Sequence, residues 1–400
     1  MSDVGVPRVF PQRTPSRDRI RLGIVGLGNM GATHAESILA GKIDRIQLAA
    51  VCDGDSTRLN QLPSIQGFTT PDAMIASGAI DAILIATPHY LHVPIGIAAL
   101  RAGLHVLIEK PISVHKADGE RLLAAHQDRR QVFAVMFNQR TDPTYQKIRQ
   151  LIQEGALGEI RRVNWIITDW FRSEAYYASS GWRATWVGEG GGVLLNQCPH
   201  NLDLLQWMFG MPQRVRAFCH FGRYHHIEVE DDVTAYLEFG NGATGVFIAS
   251  TGEAPGTNRL EITAEGGRVV IEDDRILYTR NTVPMSEFGR VSRQAFARPE
   301  TGTSLISASA HGGQHNEILQ NFVAAILDGK PLVAPAAEGL RSVELGNAML
   351  LSTWLDKTVE LPLDAMLYEN LLQQRIKQSR FKKMAITPVT GEDFAKSFGR

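Results

Sequence analysis

Along the chain, apolar residues first gather into short unbroken runs. Residues 20–28 (IRLGIVGLG) form one such run, end in glycines and give way to a helical pattern through Ala40. Others follow at 48–53 (LAAVCD), 81–88 (DAILIATP), 105–109 (HVLIE) and 131–137 (QVFAVMF), with helical spacing at 93–102 and 116–129. Continuous apolar strands alternating with helices predict a parallel sheet covered on both faces, because each crossover helix buries its apolar stripe against the sheet. Residues 20–140 are therefore expected to form a doubly wound α/β domain, preceded by a flexible tail over 1–19.

From Glu159 the pattern changes to strand-like segments in succession: 159–170, 214–221, 232–239, 243–250 and 258–265, with Gly240-Asn241-Gly242 as one of the turns. Alternation at Val233, Ala235, Leu237 and Phe239 predicts an antiparallel sheet with one face on helices and one open. An open face of this kind suits a second copy of the chain, so a homo-oligomer, dimer or tetramer, is expected. Helices are predicted near 314–327 and 336–355. The expected second domain is 141–362, an α/β unit with a large, mostly antiparallel sheet, followed by a mixed extension over 363–400.

Composition narrows the class. The chain has 400 residues, 44% hydrophobic and 21% charged, with a formal net charge of −1, which is ordinary for a globular enzyme and offers nothing to nucleic acid or anionic lipid. The first twenty residues contain no apolar core of a signal peptide and no later run is long enough for a membrane span, so a cytoplasmic protein is expected. Three cysteines, Cys52, Cys198 and Cys219, without a C-x-x-C pair, read as buried thiols.

The candidate chemistry begins at Gly26-Leu27-Gly28-Asn29-Met30-Gly31. This G-x-G-x-x-G stands between strand and helix, where glycines allow a tight turn and a close approach of backbone to pyrophosphate. Asp53, at the end of the second strand, adds a carboxylate for the ribose hydroxyls. It would repel a 2′-phosphate, which predicts NAD rather than NADP; Arg58, read as a solvated helix residue, could offset that repulsion. A second glycine cluster, GEGGGVLLNQCPHNLD over 188–203, leads into helical spacing. If helical throughout, it places Asn196, His200 and Asp203 on one face, equipping the histidine for proton transfer. His225, His226 and the carboxylates at 228–232, and the pair His311 and His315, lack a metal-binding frame and read as a solvated turn and a helix start; no metal is expected.

VLIEKPIS, residues 106–113, sets an ion pair and a proline at the end of an apolar strand. Strand C-termini of an open parallel sheet line the ligand crevice, so Glu109 and Lys110 should emerge there, with a cis Lys110–Pro111 bond. Together with GIVGLGNMG (23–31), ATPHYLHVPIG (86–96), FNQRTDPTYQKI (137–148) and the second glycine cluster, this motif makes the chain resemble the glucose-fructose oxidoreductase/inositol dehydrogenase (Gfo/Idh/MocA) family from Arg21 to about Pro362. The resemblance implies a Rossmann domain, a C-terminal domain with an open sheet, and NAD(P)-dependent oxidoreduction of sugars, cyclitols or their relatives. It implies Lys110 beside nicotinamide and substrate, His200 as the proton-transfer residue, Thr87, Pro88, His92 and Glu109 along the cofactor, and Trp182 and Arg183 at the cofactor or site mouth. Asn196 stands where the family often has Asp, leaving Asp203 or Lys110 to tune His200.

A secondary alcohol must lose its hydroxyl proton as hydride leaves the same carbon, which calls for a base, His200, and a cation, Lys110. Arg140, Tyr176, Tyr177, Trp182 and His315 offer donors and stacking faces suited to a sugar, glycoside, anhydrosugar or cyclitol, with oxidation at C3 of a pyranoside one form of the reaction. A redox-neutral glycoside-cleaving enzyme with recycled NAD is the alternative; a non-catalytic NAD-binding regulator would need neither Lys110 nor His200.

Overall fold

The computed structural model describes residues 18–307 and 311–383; the expected tail up to residue 17 and the extension beyond 383 lie outside the described residues. Six strands form the first sheet: β1 (Ile20–Val25), β2 (Ile46–Cys52), β3 (Gln66–Phe68), β4 (Ala82–Ile85), β5 (His105–Ile108) and β6 (Phe133–Val135). Their order is β3-β2-β1-β4-β5-β6, all parallel, with Ile24 opposite both Val51 and Leu84. The strand order reverses between β1 and β4, which opens a crevice at their carboxyl ends. All four residues of β4 are buried, as expected for a strand covered on both faces.

The two covers come from different parts of the chain. On one face the helices His92–Arg101 and Lys116–Ala125 pack with Val106, Ile108 and Val135. On the other, Leu22, Ile24, Leu48, Leu84 and Leu107 meet Ala35 and Ile38 of the helix Asn29–Leu39, and Ile318, Leu319, Phe322 and Val323 of the helix Gln314–Asp328. Sequence boundaries had assigned that last helix to the second domain. Its apolar stripe instead completes the first core, after the chain has built the second sheet and returned.

The second sheet has nine strands: β7 (Ile160–Ile167), β8 (Arg214–Phe221), β9 (Glu230–Glu238), β10 (Thr244–Ser250), β11 (Asn258–Ala264), β12 (Gly267–Glu272), β13 (Arg275–Asn281), β14 (Thr301–Ser307) and β15 (Val359–Glu360). The order is β14-β13-β12-β11-β7-β10-β9-β8-β15, antiparallel except for the parallel pair β7 and β10. Val233, Ala235 and Leu237 are buried beneath the helices Pro199–Phe209 and Ala336–Leu355, whereas Tyr236, between them, is 44% exposed. Phe218 and Leu305 are exposed as well.

The helix Ala336–Leu355 serves both cores, giving Val343 to the first and Leu345, Ala348 and Met349 to the second. Residues expected to be a mixed extension form a further helix, Ala365–Gln378, capped by Asp364. Cys52, Cys198 and Cys219 are free, buried thiols. No helix among the described residues is long and apolar enough to cross a membrane.

Candidate active site

The glycine turn joins β1 to the helix Asn29–Leu39 at the reversal point. Gly26 has φ +91°, and a Cβ there would stand 2.6 Å from the Ala86 carbonyl oxygen. At Gly31 a Cβ would meet Gly26 O at 1.8 Å, while at Gly28 the nearest atom is Arg58 Nη1, 3.9 Å away. The outer glycines are thus required by the turn's own packing; the middle one keeps the backbone bare toward open space. Among the described residues no side chain caps the helix that begins there, which leaves its first N–H groups to an anion.

Asp53 sits beneath this turn. Its Oδ2 accepts the Leu27 N–H at 2.7 Å and its Oδ1 the Asp55 N–H at 2.9 Å. Arg58 is an exposed residue of the short helix Ser56–Leu59, as expected, and it also pairs with Asp53 at 3.3 Å and Asp55 at 3.7 Å. On β4's side of the crevice, Thr87 Oγ1 is buried without a hydrogen-bond partner among the described residues. His92 spans the loops after β4 and β5: Nε2 faces Thr87 O and Nδ1 faces Pro111 O, each at 2.8 Å. Burial depresses its basicity, and a neutral ring donates to only one of the two carbonyls. A bare backbone turn at a helix start, a carboxylate tied to it and an orphan hydroxyl opposite fit a dinucleotide, with Gly28, Asn29, Met30, Asp53, Thr87 and Pro88 as the residues that would hold it.

After β5 the chain turns through a cis Lys110–Pro111 bond, as the sequence led us to expect. Glu109 is buried and meets His34 Nε2 at 2.6 Å; burial raises its acid pKa, but His34's hydrogen bond and charge outweigh that and hold it at about 2. Lys110 Nζ donates to Asn196 O at 3.0 Å. Burial, with Arg183 and Arg172 adding to it against Glu109 and Glu189, lowers the ammonium's pKa.

The second glycine cluster is not helical throughout. The helix starts at Pro199, whose missing N–H costs nothing at that position, so Asn196 precedes it and does not share its face. Asn196 nonetheless reaches the same place: its side chain amide donates to Glu189, and its Oδ1 accepts from Tyr176 Oη at 3.3 Å. Glu189 is a buried carboxylate that sequence reasoning passed over, although it lies inside GEGGG. It also accepts the Ala184 N–H, and burial raises its pKa. His200 is buried with Nδ1 unpartnered among the described residues; burial, then Lys110 and His315, hold its pKa well below 6.5. His315 begins the helix Gln314–Asp328, 5.6 Å ring to ring from His34, with its pKa pushed by burial to about 4.

Three expected substrate contacts are committed elsewhere. Asp203 receives Arg140 Nε at 2.7 Å and Nη2 at 2.6 Å, both side chains fully buried, and Glu338 accepts from the same guanidinium. Asp203 therefore serves Arg140 and does not tune His200. The buried Tyr177 hydroxyl bonds Thr251 Oγ1 at 2.8 Å, and its neighbour Tyr176 faces the site instead. The segment 223–232 starts as an exposed turn at Arg223, Tyr224 and His226, but its acidic end is buried: His225 pairs with Asp231, while Glu230 accepts the Gly192 and Leu194 N–H groups and so pins the glycine cluster. Among the described residues, the only grouping close enough for a cation is His115, Asp118 and Glu369, and Arg121 already pairs with both carboxylates. Past the last helix, Lys383 Nζ donates to Arg183 O and Phe381 packs on His226, so the extension props the Trp182–Arg183 loop.

A glycine turn, a ribose-type carboxylate and a lysine at the end of the next strands define a dinucleotide-binding oxidoreductase. Residues 20–137 match the family model described as oxidoreductase family, NAD-binding Rossmann fold, and residues 145–270 the model of the GFO/IDH/MocA C-terminal domain. Together these span more than half of the chain, which belongs to the Gfo/Idh/MocA oxidoreductase family.

Among its relatives is an uncharacterized oxidoreductase, YdgJ, of Escherichia coli, 31% identical over 196 residues, 49% of this chain and 55% of that protein. A myo-inositol 2-dehydrogenase of Thermotoga maritima is 24% identical over 86% of this chain and 98% of its own. The solved structure of a WlbA dehydrogenase from Chromobacterium violaceum, in complex with NADH and UDP-GlcNAcA, superimposes with TM-score 0.75 at 29% identity, covering 89% of this chain and 99% of that one. The matched stretch spans about half the length of the first curated relatives, 54–55%.

Proposed function

We propose that the chain is an NAD-dependent dehydrogenase or reductase acting on a secondary alcohol of a sugar, glycoside, anhydrosugar or cyclitol. The observation that carries this reading is that Lys110, just past β5, donates to the Asn196 carbonyl shortly before the helix that carries the buried His200, so a cation and a histidine with an unpartnered Nδ1 among the described residues share one place, and the lysine's charge helps keep the histidine neutral. Bound NAD would supply the hydride acceptor at its nicotinamide. The protein's part is proton and charge. Neutral His200 takes the hydroxyl proton, and the Lys110 ammonium hydrogen-bonds the oxygen as it becomes an alkoxide. Asn196, held by Glu189 and Tyr176, fixes the lysine through its carbonyl. Asp53 favours NAD over NADP by repelling a 2′-phosphate, in spite of its contact with Arg58.

Relatives named inositol 2-dehydrogenase and levoglucosan dehydrogenase support the polyol class. The open face carrying Phe218, Tyr236 and Leu305 supports association with a second copy, checked by light scattering.

The experiment is incubation with NAD and a panel of glucosides, anhydrosugars and inositols, following NADH absorbance. A Lys110→Met variant should bind NAD yet lose about 10²–10³ in turnover, as when an oxyanion donor is removed. Full turnover by that variant refutes the assignment of Lys110. Product without net NADH would instead indicate the redox-neutral reaction.

A further inference from the structure

Around Tyr176 the charges do not balance. The Arg172 and Arg183 guanidinium carbons lie 5.0 and 4.7 Å from the Tyr176 ring centroid, and Arg183 is 4.7 Å from that of Trp182. Arg172 Nη1 donates to Phe171 O, and Arg183 Nη1 to Tyr176 Oη at 2.8 Å. Both partners are neutral. The Nε–H of each guanidinium is buried without an acceptor among the described residues, an arrangement that costs free energy unless something else supplies one. Arg140, by contrast, meets two carboxylates.

Neighbouring acids make up only part of the difference. Glu109 is engaged with His34, Asp231 with His225, and Glu174 with the His226 N–H. Glu189 faces Arg183 electrostatically and offsets part of its charge, but its oxygens accept from the Ala184 N–H and the Asn196 amide, not from the arginine. Lys110 lies within the electrostatic reach of both arginines, which lower its pKa, so the cluster holds three cations at the place where the substrate hydroxyl is to be received.

We propose that Arg172 and Arg183 form, beside Lys110, a subsite for an anionic group of the substrate, a carboxylate or a phosphate, so that the polyol is a sugar acid or a sugar phosphate. This rests on the dehydrogenase reading above and narrows its substrate class. The chemistry suits the residues: a guanidinium beside an aromatic ring with one Nη engaged still has an Nε–H to offer, and guanidinium N–H groups match carboxylate and phosphate oxygens. Tyr176 and Trp182 both lie within cation–π distance of Arg183, and Tyr176 and Trp170 within that distance of Arg172, Trp170 at 5.3 Å from its guanidinium carbon. The sugar ring would then lie between the anion subsite and the His200–Lys110 pair.

The test is calorimetric binding of three probes, D-glucuronate, D-glucose 6-phosphate and methyl α-D-glucoside, to the NADH-loaded full-length protein. At least one anion should bind at least about tenfold more tightly than the neutral glycoside, and which one separates carboxylate from phosphate. Arg172→Met and Arg183→Met should each remove most of that preference while keeping the affinity for NADH, and Arg183→Lys should retain part of it. Equal or tighter binding of the neutral glycoside overturns the subsite, as does binding of none of the three. It is overturned too if Arg183→Met loses NADH instead of the anion preference, since the cofactor's pyrophosphate would then be the partner. The wild-type comparison decides the matter even if a methionine variant fails to fold. Turnover of neutral polyols without any preference for anions would remove the subsite and leave the dehydrogenase reading intact.

Discussion

Asp203→Asn separates a structural role from a binding one. In the native protein Asp203 offers two oxygens to Arg140, at 2.7 and 2.6 Å, and both side chains are at most 1% exposed. Asparagine keeps the shape and one acceptor, but its amide N–H groups would face guanidinium N–H groups, and the buried cation would lose its matched charge. Breaking a buried pair from one side costs about 3–5 kcal/mol. Glu338 and the Val333 carbonyl still hold Arg140, which argues for the lower end, about 3 kcal/mol. At roughly 1 °C or slightly more per kcal/mol for a chain of 400 residues, the melting temperature should fall by about 3–5 °C. The assay is thermal denaturation followed by circular dichroism, alongside KM for NAD and for the polyol. Arg140→Met with Asp203→Leu should recover much of the loss, because an apolar pair of similar volume has no charges to desolvate. If Asp203→Asn melts with the wild type and instead raises the polyol KM, Arg140 and Asp203 contact substrate and the reasoning fails.

Other outcomes follow from the same groups. In the pH dependence of kcat/KM, the acid limb should fall well below pH 6.5, because His200 must be neutral and its pKa is depressed by burial and by Lys110; the alkaline limb should come below pH 10.5, because Lys110 must be charged and its pKa is lowered. A limb near the ordinary histidine value would point to another base. Glu230, its acid pKa raised by burial to about 7, favours the protonated folded state. Its contribution to stability is full below about pH 4.5, the ordinary value, and is lost as pH rises through about 7. Glu230→Gln, which keeps the acceptor for Gly192 and Leu194, should flatten that decline in melting temperature across pH 5–8, and an unchanged slope would assign the decline elsewhere.

The parts of the fold most legible in sequence were those under the strictest packing demand. β1, β4 and β5 are buried on both faces, so almost every residue had to be apolar, and the runs stand out. β3, with its sequence Gln66-Gly67-Phe68, is a short exposed edge and carries no such signal. β13, Arg275–Asn281, is not among the strand segments that the sequence pattern predicts, although its positions alternate between exposed and buried at its start. Within the site, Lys110 was legible because a charge at the end of an apolar strand has few structural excuses. Arg140 and Asp203 were misread for a related reason: 63 residues apart in sequence, two polar residues that neutralise each other in a core look the same as two that await a ligand. Glu189 was hidden by the glycines around it, which drew attention to backbone freedom rather than to the one carboxylate they enclose.

The late return of the helix Gln314–Asp328 to the first sheet bears on how this protein can be cut and recombined. A fragment ending near residue 140 would leave Leu22, Leu48, Leu84 and Leu107 without the cover of Ile318, Phe322 and Val323, a bare apolar face that invites aggregation. The nucleotide-binding half is consequently not a portable cassette. A chimaera that grafts it onto a different sheet must carry residues 314–328 along, and during synthesis that half can finish packing only once nearly the whole chain has left the ribosome.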